Sequence, residues 1–451
     1  MSVRTSTASM LKTVSSARTF ASTSAARLPP KPNSAAMFAR NKKQAQSEED
    51  GASSGGAGNV LAEVTLPRPD LKELEEMHPE SLTKKAVGQV KAFPGAAMEA
   101  LKTLSLPGSI QRELAFTTRP ATVVRNATLK MTQTLDAGKK GESRQSRYVL
   151  AGGSGSGKST LMLQTVSYAQ STKWIVLYLP SAAPLVNSST PHLYSSTRAL
   201  FEQPALASSL LQKWSSANKS AFKALQTSKE WTFGEKKVAE GKSLEELVKA
   251  GGDEKTVTSV FEAVMEELSA QNSRPVLLAV DSAQPLFSTS SYIDPTYTAI
   301  ESFSLVIPRL LLDYISGARS FSTGAVLLSP DSLSANKSDA LNDFLASSSS
   351  PASDASSPTS SVSRRKALES AYDRSRSSSY AAYSEVLESG VKTIEVPERL
   401  SREEAVGVVR LIKGWRGTRD AVDDKMFLER LVSTDGNPRE FARVLSKSLA
   451  V

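Results

Sequence analysis

The chain has 451 residues, 39% of them hydrophobic, enough for a sizeable core and two or three domains. It holds no cysteine, which excludes disulfides, thiolate zinc sites and cysteine nucleophiles, and its two histidines, His78 and His192, lack the neighbouring carboxylate and hydroxyl pattern of a triad. The net charge of +9 points to a polyanionic partner or an anionic surface without saying which, and no apolar run approaches the length that spans a bilayer, so no membrane insertion is expected.

The N-terminus is basic and rich in Ser, Thr and Ala. Arg4, Lys12, Arg18, Arg27, Lys31, Arg40, Lys42 and Lys43 all precede the first acid, Glu48. This is the composition of a mitochondrial presequence, and Arg18-Thr19-Phe20-Ala21-Ser22 is similar to the cleavage signal of the matrix processing peptidase. An ordinary basic tail is the alternative. We expect a presequence over residues 1–20 and a disordered linker over 21–59, where Gly51-Ala52-Ser53-Ser54-Gly55-Gly56-Ala57-Gly58 is flexible by composition. An N-terminal helical extension is expected over 60–106, from the spacing of Leu71, Leu74 and Met77 and of Met98, Leu101 and Leu104.

The segment 107–335 reads as a nucleotide-binding α/β domain. Arg119 to Arg125 is an extended approach, followed by a helix over Ala127 to Leu135. Arg147-Tyr148-Val149-Leu150-Ala151 is a short buried strand that runs into Gly152-Gly153-Ser154-Gly155-Ser156-Gly157-Lys158-Ser159, a full match to G-x-x-x-x-G-K-[ST]. An apolar helical run opens at Thr160. In this pattern the glycines let backbone N–H groups of Gly153, Ser154, Gly155, Ser156, Gly157 and Thr160 surround phosphates, Lys158 reaches the β/γ oxygens, and Ser159 offers a hydroxyl to Mg²⁺. The helix N-terminus adds its own N–H groups. Trp174 to Leu179, Pro275 to Val280 and Gly324 to Leu328 are uninterrupted apolar runs of the kind buried on both faces of a parallel sheet. Helices are expected over Pro204 to Trp214 and Val257 to Leu268.

Beyond the sheet, Ala346 to Ser379 is dominated by serine, so 336–390 is expected to be a largely disordered insertion. Order returns at Val391 to Val396, and 391–451 reads as a small helical lid. Ser401-x-x-Glu404 is a capping box that opens a helix through Leu411, a second helix covers Met426 to Val432, and a third starts with Asn437 as cap, Pro438 in the first turn and Glu440 as box partner.

Asp281 ends an apolar strand, the position of a second group that holds Mg²⁺ through water, so Ser159 and Asp281 form the expected metal site. The residue after it is Ser282, where motor-type ATPases of this architecture have Glu to polarise water. A hydroxyl cannot accept that proton at neutral pH, and no catalytic residue is identified. Asn336-Lys337-Ser338-Asp339 matches the guanine-reading N-K-x-D motif, but Ser329 to Ala335 separate it from the strand it should end. Ser329 is placed to sense a γ-phosphate or to be a plain loop serine. Arg439, in Gly436-Asn437-Pro438-Arg439, is either a phosphate-sensing arginine of the AAA type or a solvated residue of a capped helix.

These residues together resemble the death-associated protein three family, the P-loop protein of the mitochondrial ribosomal small subunit, in a fungal-type form. The resemblance runs from about Val87 to the C-terminus. It is carried by Arg119-Pro120 with Arg125, the P-loop, Trp174-Ile175-Val176-Leu177-Tyr178-Leu179-Pro180-Ser181-Ala182, Phe201-Glu202-Gln203-Pro204, Val280-Asp281-Ser282 and Gly324-Ala325-Val326. The chain departs from the pattern at Ser282, where Gly is usual, and in the Ser-rich insertion. The resemblance implies an AAA-like P-loop fold and a guanine-nucleotide binder, GTP or GDP with Mg²⁺, ATP being the alternative. It also implies a place in the head of the small subunit, against rRNA, other mitochondrial ribosomal proteins and the intersubunit face. Lys139, Lys140, Arg416 and Arg419 are candidate phosphate contacts. The competing readings are a working AAA-type ATPase or helicase loader of the matrix, and a small-molecule kinase, which would need an arginine-rich lid. The mature chain is expected to begin near Ala21; N-terminal sequencing of the protein from isolated mitochondria checks this, and an intact Met1 would refute it.

Overall fold

The computed structural model describes residues 73–108, 110–111, 119–331, 338–349, 377–415 and 423–446. The expected presequence, the linker and most of the Ser-rich segment lie outside them. At the centre is a parallel sheet of five strands, which we number β1 (Arg147–Ala151), β2 (Ile175–Leu179), β3 (Val276–Asp281), β4 (Gly324–Ser329) and β5 (Lys392–Glu395). Their order across the sheet is β5-β1-β4-β3-β2. Every residue of β2, β3 and β4 is buried, which accounts for their unbroken apolar sequences. The fold class is therefore α/β as expected, with helices such as Asn126–Gly138, Lys158–Ser171, Pro204–Ala217, Val257–Ala270 and Val306–Ser316 flanking the sheet.

Three expectations need correction. The strand β5 lies inside the segment read as a helical lid, yet it pairs with β1 over Lys392 to Glu395 and belongs to the sheet. Of its four residues only Ile394 is buried, as suits a short strand at the sheet's edge, so it lacks the continuous apolar run of the other four. The helix expected at Leu74 and Met77 does not form. Instead the backbone there lies along the strand Val90–Ala92, with Met77 N–H donating to Ala92 O and Ala92 N–H to Glu75 O. Leu71 lies outside the described residues. Finally, the Ser-rich segment is bounded by helices, Asp339–Ser349 and Ser377–Glu388. They are joined by a bond from Tyr380 to Asp343 of 2.9 Å, and Tyr383 is buried against the sheet's core.

Polar side chains complete the sheet at places that periodicity does not reveal. The edge strand β2 is closed by Asn218, whose amide bonds both the N–H and the C=O of Val176 at 2.9 Å, as a neighbouring strand would. At the start of β1, Arg147 is buried, and among the described residues its hydrogen bonds go to carbonyl and hydroxyl oxygens. Its guanidinium donates to Arg144 O, Ile315 O, Ser389 O and Ser389 Oγ at 2.7–3.1 Å. Ile315 and Ser389 stand at the C-terminal ends of two helices, whose aligned carbonyls carry partial negative charge. Two helix dipoles thus act as the counter-ion, while burial and the nearby Arg144 lower the pKa of Arg147.

The C-terminal helices Arg402–Gly414, Asp424–Ser433 and Pro438–Ser446 have a core of their own, built from Leu400, Ala405, Val409, Ile412, Phe427, Phe441 and Leu445. Arg147→Ala is expected to lower unfolding free energy by about 3 kcal/mol, because it leaves several buried carbonyls unpaired. Arg147→Lys should rescue little, since an ammonium cannot reproduce the fork. Denaturant unfolding of both variants checks this.

Candidate functional site

The loop Gly152–Ser159 leaves the carboxyl end of β1 and enters the helix Lys158–Ser171, with Gly157 as its N-cap. Lys158 is buried, and its ammonium folds back to donate to Gly152 O and Gly153 O, each at 2.8 Å. Burial lowers its pKa, and the charges of Asp331, Asp281 and Glu398 oppose that shift. The sheet order places β4 between β1 and β3, so Ser329 lies directly beside Asp281 in register.

Asp281 is almost fully buried. One carboxylate oxygen accepts the Ser282 N–H at 2.9 Å. The hydroxyls of Ser159 and Ser329 face the group closely enough to hold its pKa down in part, yet burial prevails and raises it. They do not close to full hydrogen bonds: among the described residues, Asp281 Oδ2 and Ser329 Oγ have no partner, and neither has Ser156 Oγ in the loop. Buried polar atoms without partners are rare and cost free energy, and here three stand at one end of the sheet. Ser159, Asp281 and Ser329, chosen from separate motifs, are therefore brought together.

Ser282 has φ 47°, in the left-handed region. For a residue with a β-carbon that region costs about 1–2 kcal/mol, which explains why glycine suits this position. The extended run of β3 thus ends at Asp281, and the chain turns at Ser282.

A second set of contacts binds the loop to the C-terminal helices. Asn437 donates from Nδ2 to Ser154 O at 2.8 Å, and the Arg439 N–H donates to Gly155 O at 3.2 Å. The approach is so close that a β-carbon on Gly155 would lie 2.5 Å from Asn437 Oδ1. Asn437 also caps its helix, accepting from the N–H groups of Arg439 and Glu440. Glu440, expected as the box partner, instead pairs with Arg443 at 3.0 Å. The Arg439 side chain is exposed at the mouth of the loop. Glu398, between β5 and the helix Arg402–Gly414, stands over Gly153, where a β-carbon would come within 2.4 Å of its carboxylate.

The residue that motif reasoning undervalued is Arg125. Its guanidinium donates to Ser156 O at 2.5 Å, to Pro397 O at 2.9 Å and to Glu404 Oε2 at 3.2 Å. Glu404 in turn accepts the Asn126 N–H at 2.9 Å and the Ser401 N–H at 3.2 Å, the second bond being half of the expected capping box. In the sequence Arg125 stood out only through the family resemblance, because its partners are up to 279 residues away.

Other candidates fall elsewhere. Asn336 and Lys337 lie outside the described residues; Ser338 and Asp339 open the helix Asp339–Ser349, with Ser338 Oγ accepting from the Leu341 N–H at 3.3 Å. Lys139 pairs with Asp136 at 2.8 Å, and Lys140 is exposed. Arg416 and Arg419 lie outside the described residues. His78 contacts Glu76 at 3.3 Å, and His192 packs against Phe201 and Tyr292.

The family model described as mitochondrial ribosomal death-associated protein 3 matches residues 122–444, more than half of the chain. The chain is 28% identical over 267 residues to the small ribosomal subunit protein mS29 of Neurospora crassa, covering 58% of this chain and 56% of that one. It is 23% identical over 264 residues to the mS29 of Schizosaccharomyces pombe, covering 57% and 56%, and 28% identical over 168 residues to that of Mus musculus, covering 36% and 43%. The chain thus spans about half the length of the curated relatives it matches.

In a buffer free of nucleotide and Mg²⁺, Asp281→Asn is expected to raise the melting temperature at pH 7, because it removes a buried carboxylate with an unpartnered oxygen. The advantage should shrink as pH falls from the raised pKa of Asp281 toward the ordinary carboxylate range, where the wild-type group takes up a proton in the folded state. Thermal melts across that range check both the sign and the pH dependence.

Proposed function

The chain belongs to the mitochondrial ribosomal death-associated protein 3 family, and we propose that it is a structural component of the mitochondrial small ribosomal subunit that binds a purine nucleotide. Its place is the mitochondrial matrix. Its partners are small-subunit rRNA and other mitochondrial ribosomal proteins, as the names of its relatives and family suggest, and the resemblance adds a contact to the large subunit. Among the described residues no helix is long and apolar enough to cross a membrane.

The observation that carries the nucleotide reading is the group of unpartnered buried oxygens around Asp281, set beside a buried lysine in a glycine loop at a helix N-terminus. A nucleoside diphosphate or triphosphate with Mg²⁺ fits this donor and acceptor set. The loop N–H groups and Lys158 would hold phosphate oxygens, and Ser159 with Asp281 would hold the metal, directly and through water. Among the described residues no group of three or more His, Asp or Glu could hold a metal alone, so this ion depends on the phosphates. The sheet order β5-β1-β4-β3-β2, with one strand between the loop strand and the Asp281 strand, supports an AAA-like P-loop fold. On this reading the C-terminal helices are its lid, with Arg439 facing the outer phosphates. GTP or GDP is favoured through the family, with ATP the alternative.

Turnover is slow or absent. Position 282 offers a hydroxyl on left-handed backbone, not a carboxylate aimed at water. Binding without rapid hydrolysis makes the nucleotide a ligand that stabilises the folded chain by RT ln(1 + [L]/Kd), about 3–4 kcal/mol when ligand is in large excess over Kd. The fold so held then enters the small subunit and supports translation. Lys158→Ala should abolish the rise in melting temperature caused by Mg²⁺ with GTP or ATP, and it should lower co-sedimentation with the small subunit through a salt wash. A purified wild-type protein that turns nucleotide over several times per second, with a melting temperature in nucleotide that Lys158→Ala leaves unchanged, would instead establish an active AAA-type ATPase.

A further inference from the structure

Two short antiparallel hairpins lie beyond the carboxyl ends of β2 and β3. One pairs Leu193–Ser195 with Leu200–Glu202, the other Thr289–Ile293 with Ala299–Glu301. They are locked together into one surface. The His192 ring sits 4.9 Å from that of Tyr292 and 5.6 Å from that of Phe201, and Tyr194 stacks at an angle on Phe201 at 5.1 Å. Polar bonds join the same two elements: Thr190 Oγ1 to Tyr292 OH at 2.9 Å, and His192 Nε2 to Ile293 O at 3.2 Å.

On this joint surface the large apolar side chains face outward. Leu193 is 56% exposed, Tyr194 59%, Ile293 52% and Tyr297 92%. Tyr297 is held out deliberately by its turn. Asp294 accepts from the Thr296 N–H, the Thr296 hydroxyl and the Thr298 N–H at 2.7–2.8 Å, while Tyr297 itself adopts φ 62°. A left-handed tyrosine costs free energy, and the bonded turn holds its backbone in that conformation.

The charges on the surface select the partner. Neither 187–197 nor 289–301 contains a lysine or arginine, although the whole chain carries +9. Arg198 is engaged by Glu202 at 2.5 Å and Glu262 at 2.8 Å. The acids at the rim are Asp294, which its hydrogen bonds keep ionised, and Glu301. A nucleic acid would find no cation here for its phosphates. Exposed tyrosines with aliphatic neighbours and a polar, acidic rim are what protein interfaces use.

We propose that these paired hairpins are the docking surface for a partner protein that supplies an apolar anchor flanked by lysine or arginine. The inference does not depend on nucleotide binding. The test places p-benzoylphenylalanine at Tyr297 in the full chain, irradiates intact mitochondria, treats the products with ribonuclease and maps the adduct by mass spectrometry. The expected result is an adduct with one other protein, on a peptide whose apolar residue lies beside Lys or Arg. Its yield should fall about tenfold when Tyr194→Ser and Ile293→Ser are added. It should fall also with Ala299→Lys, which sets a cation on the exposed rim. These positions are exposed, so an unchanged melting temperature shows that each variant is folded. An adduct with RNA, with a second copy of this chain or with its own chain, or no adduct at all, would overturn the proposal, as would a yield indifferent to these substitutions.

Discussion

The arrangement around the glycine loop depends on one guanidinium. Arg125 joins four pieces of chain that are far apart in sequence: the end of the approach strand Ala121–Val123, the loop at Ser156, the turn at Pro397 after β5, and the helix that Glu404 helps to cap. The pair with Glu404 is shielded, with side-chain exposures of 12% and 4%. Burying two charges is unfavourable unless the remaining hydrogen-bonding groups are satisfied, and here they are satisfied by backbone groups of the parts being joined. The guanidinium thus fixes geometry more than it adds stability. If it were lost, Glu404 would be left as a buried charge with only two N–H partners, and the loop would keep only the attachment to the C-terminal helices made by Asn437 and Arg439.

Around that fixed point the chain retains features that a fold selected for stability alone would remove. Asp281 is buried with an unpartnered oxygen, Lys158 is buried beside the loop's own carbonyls, and Ser282 is left-handed. Local rules fail together where a ligand, not the protein, completes the bonding. The concentration of these faults at the carboxyl ends of β1, β3 and β4 is the physical argument for a site there. It is independent of the motif, because neither the orphaned oxygen nor the backbone angle can be read from G-x-x-x-x-G-K-S.

Most of the sheet was legible because strands buried on both faces are apolar throughout, and Val276 to Val280 can hardly be anything else once a helix pattern precedes it. The strand β5 was not, since an edge strand of four residues with one buried side chain gives a weak signal beside a Ser-rich segment. Arg147 and Asn218 were illegible for a different reason. Their partners are carbonyls and backbone amides, and those have no identity in a sequence. The same holds for Arg125, whose carboxylate partner is visible as a capping-box residue but whose pairing across 279 residues is not. Of the candidate site, the loop, Ser159 and Asp281 were legible as a motif; that Ser329 completes their surroundings follows only from the sheet order. The hairpins 193–202 and 289–301 went unread, as strands of three to five residues without a turn dipeptide of the Asn-Gly kind carry little periodicity.

The hairpins and the loop share an edge, and this bears on what a bound nucleotide would do. Both hairpins leave from the carboxyl ends of β2 and β3, and the turn Gln284–Phe287 after Asp281 leads straight into one of them. Gln284 in that turn donates to Asp331 O, beyond the end of β4. A ligand that supplies partners to Asp281 and Ser329 would therefore stiffen the root of the surface that carries Tyr297. Such an effect needs no hydrolysis and no large motion. It needs only that the groups left unpaired in the free chain be paired in the assembled one, and a slowly exchanging nucleotide provides that better than one consumed in each cycle.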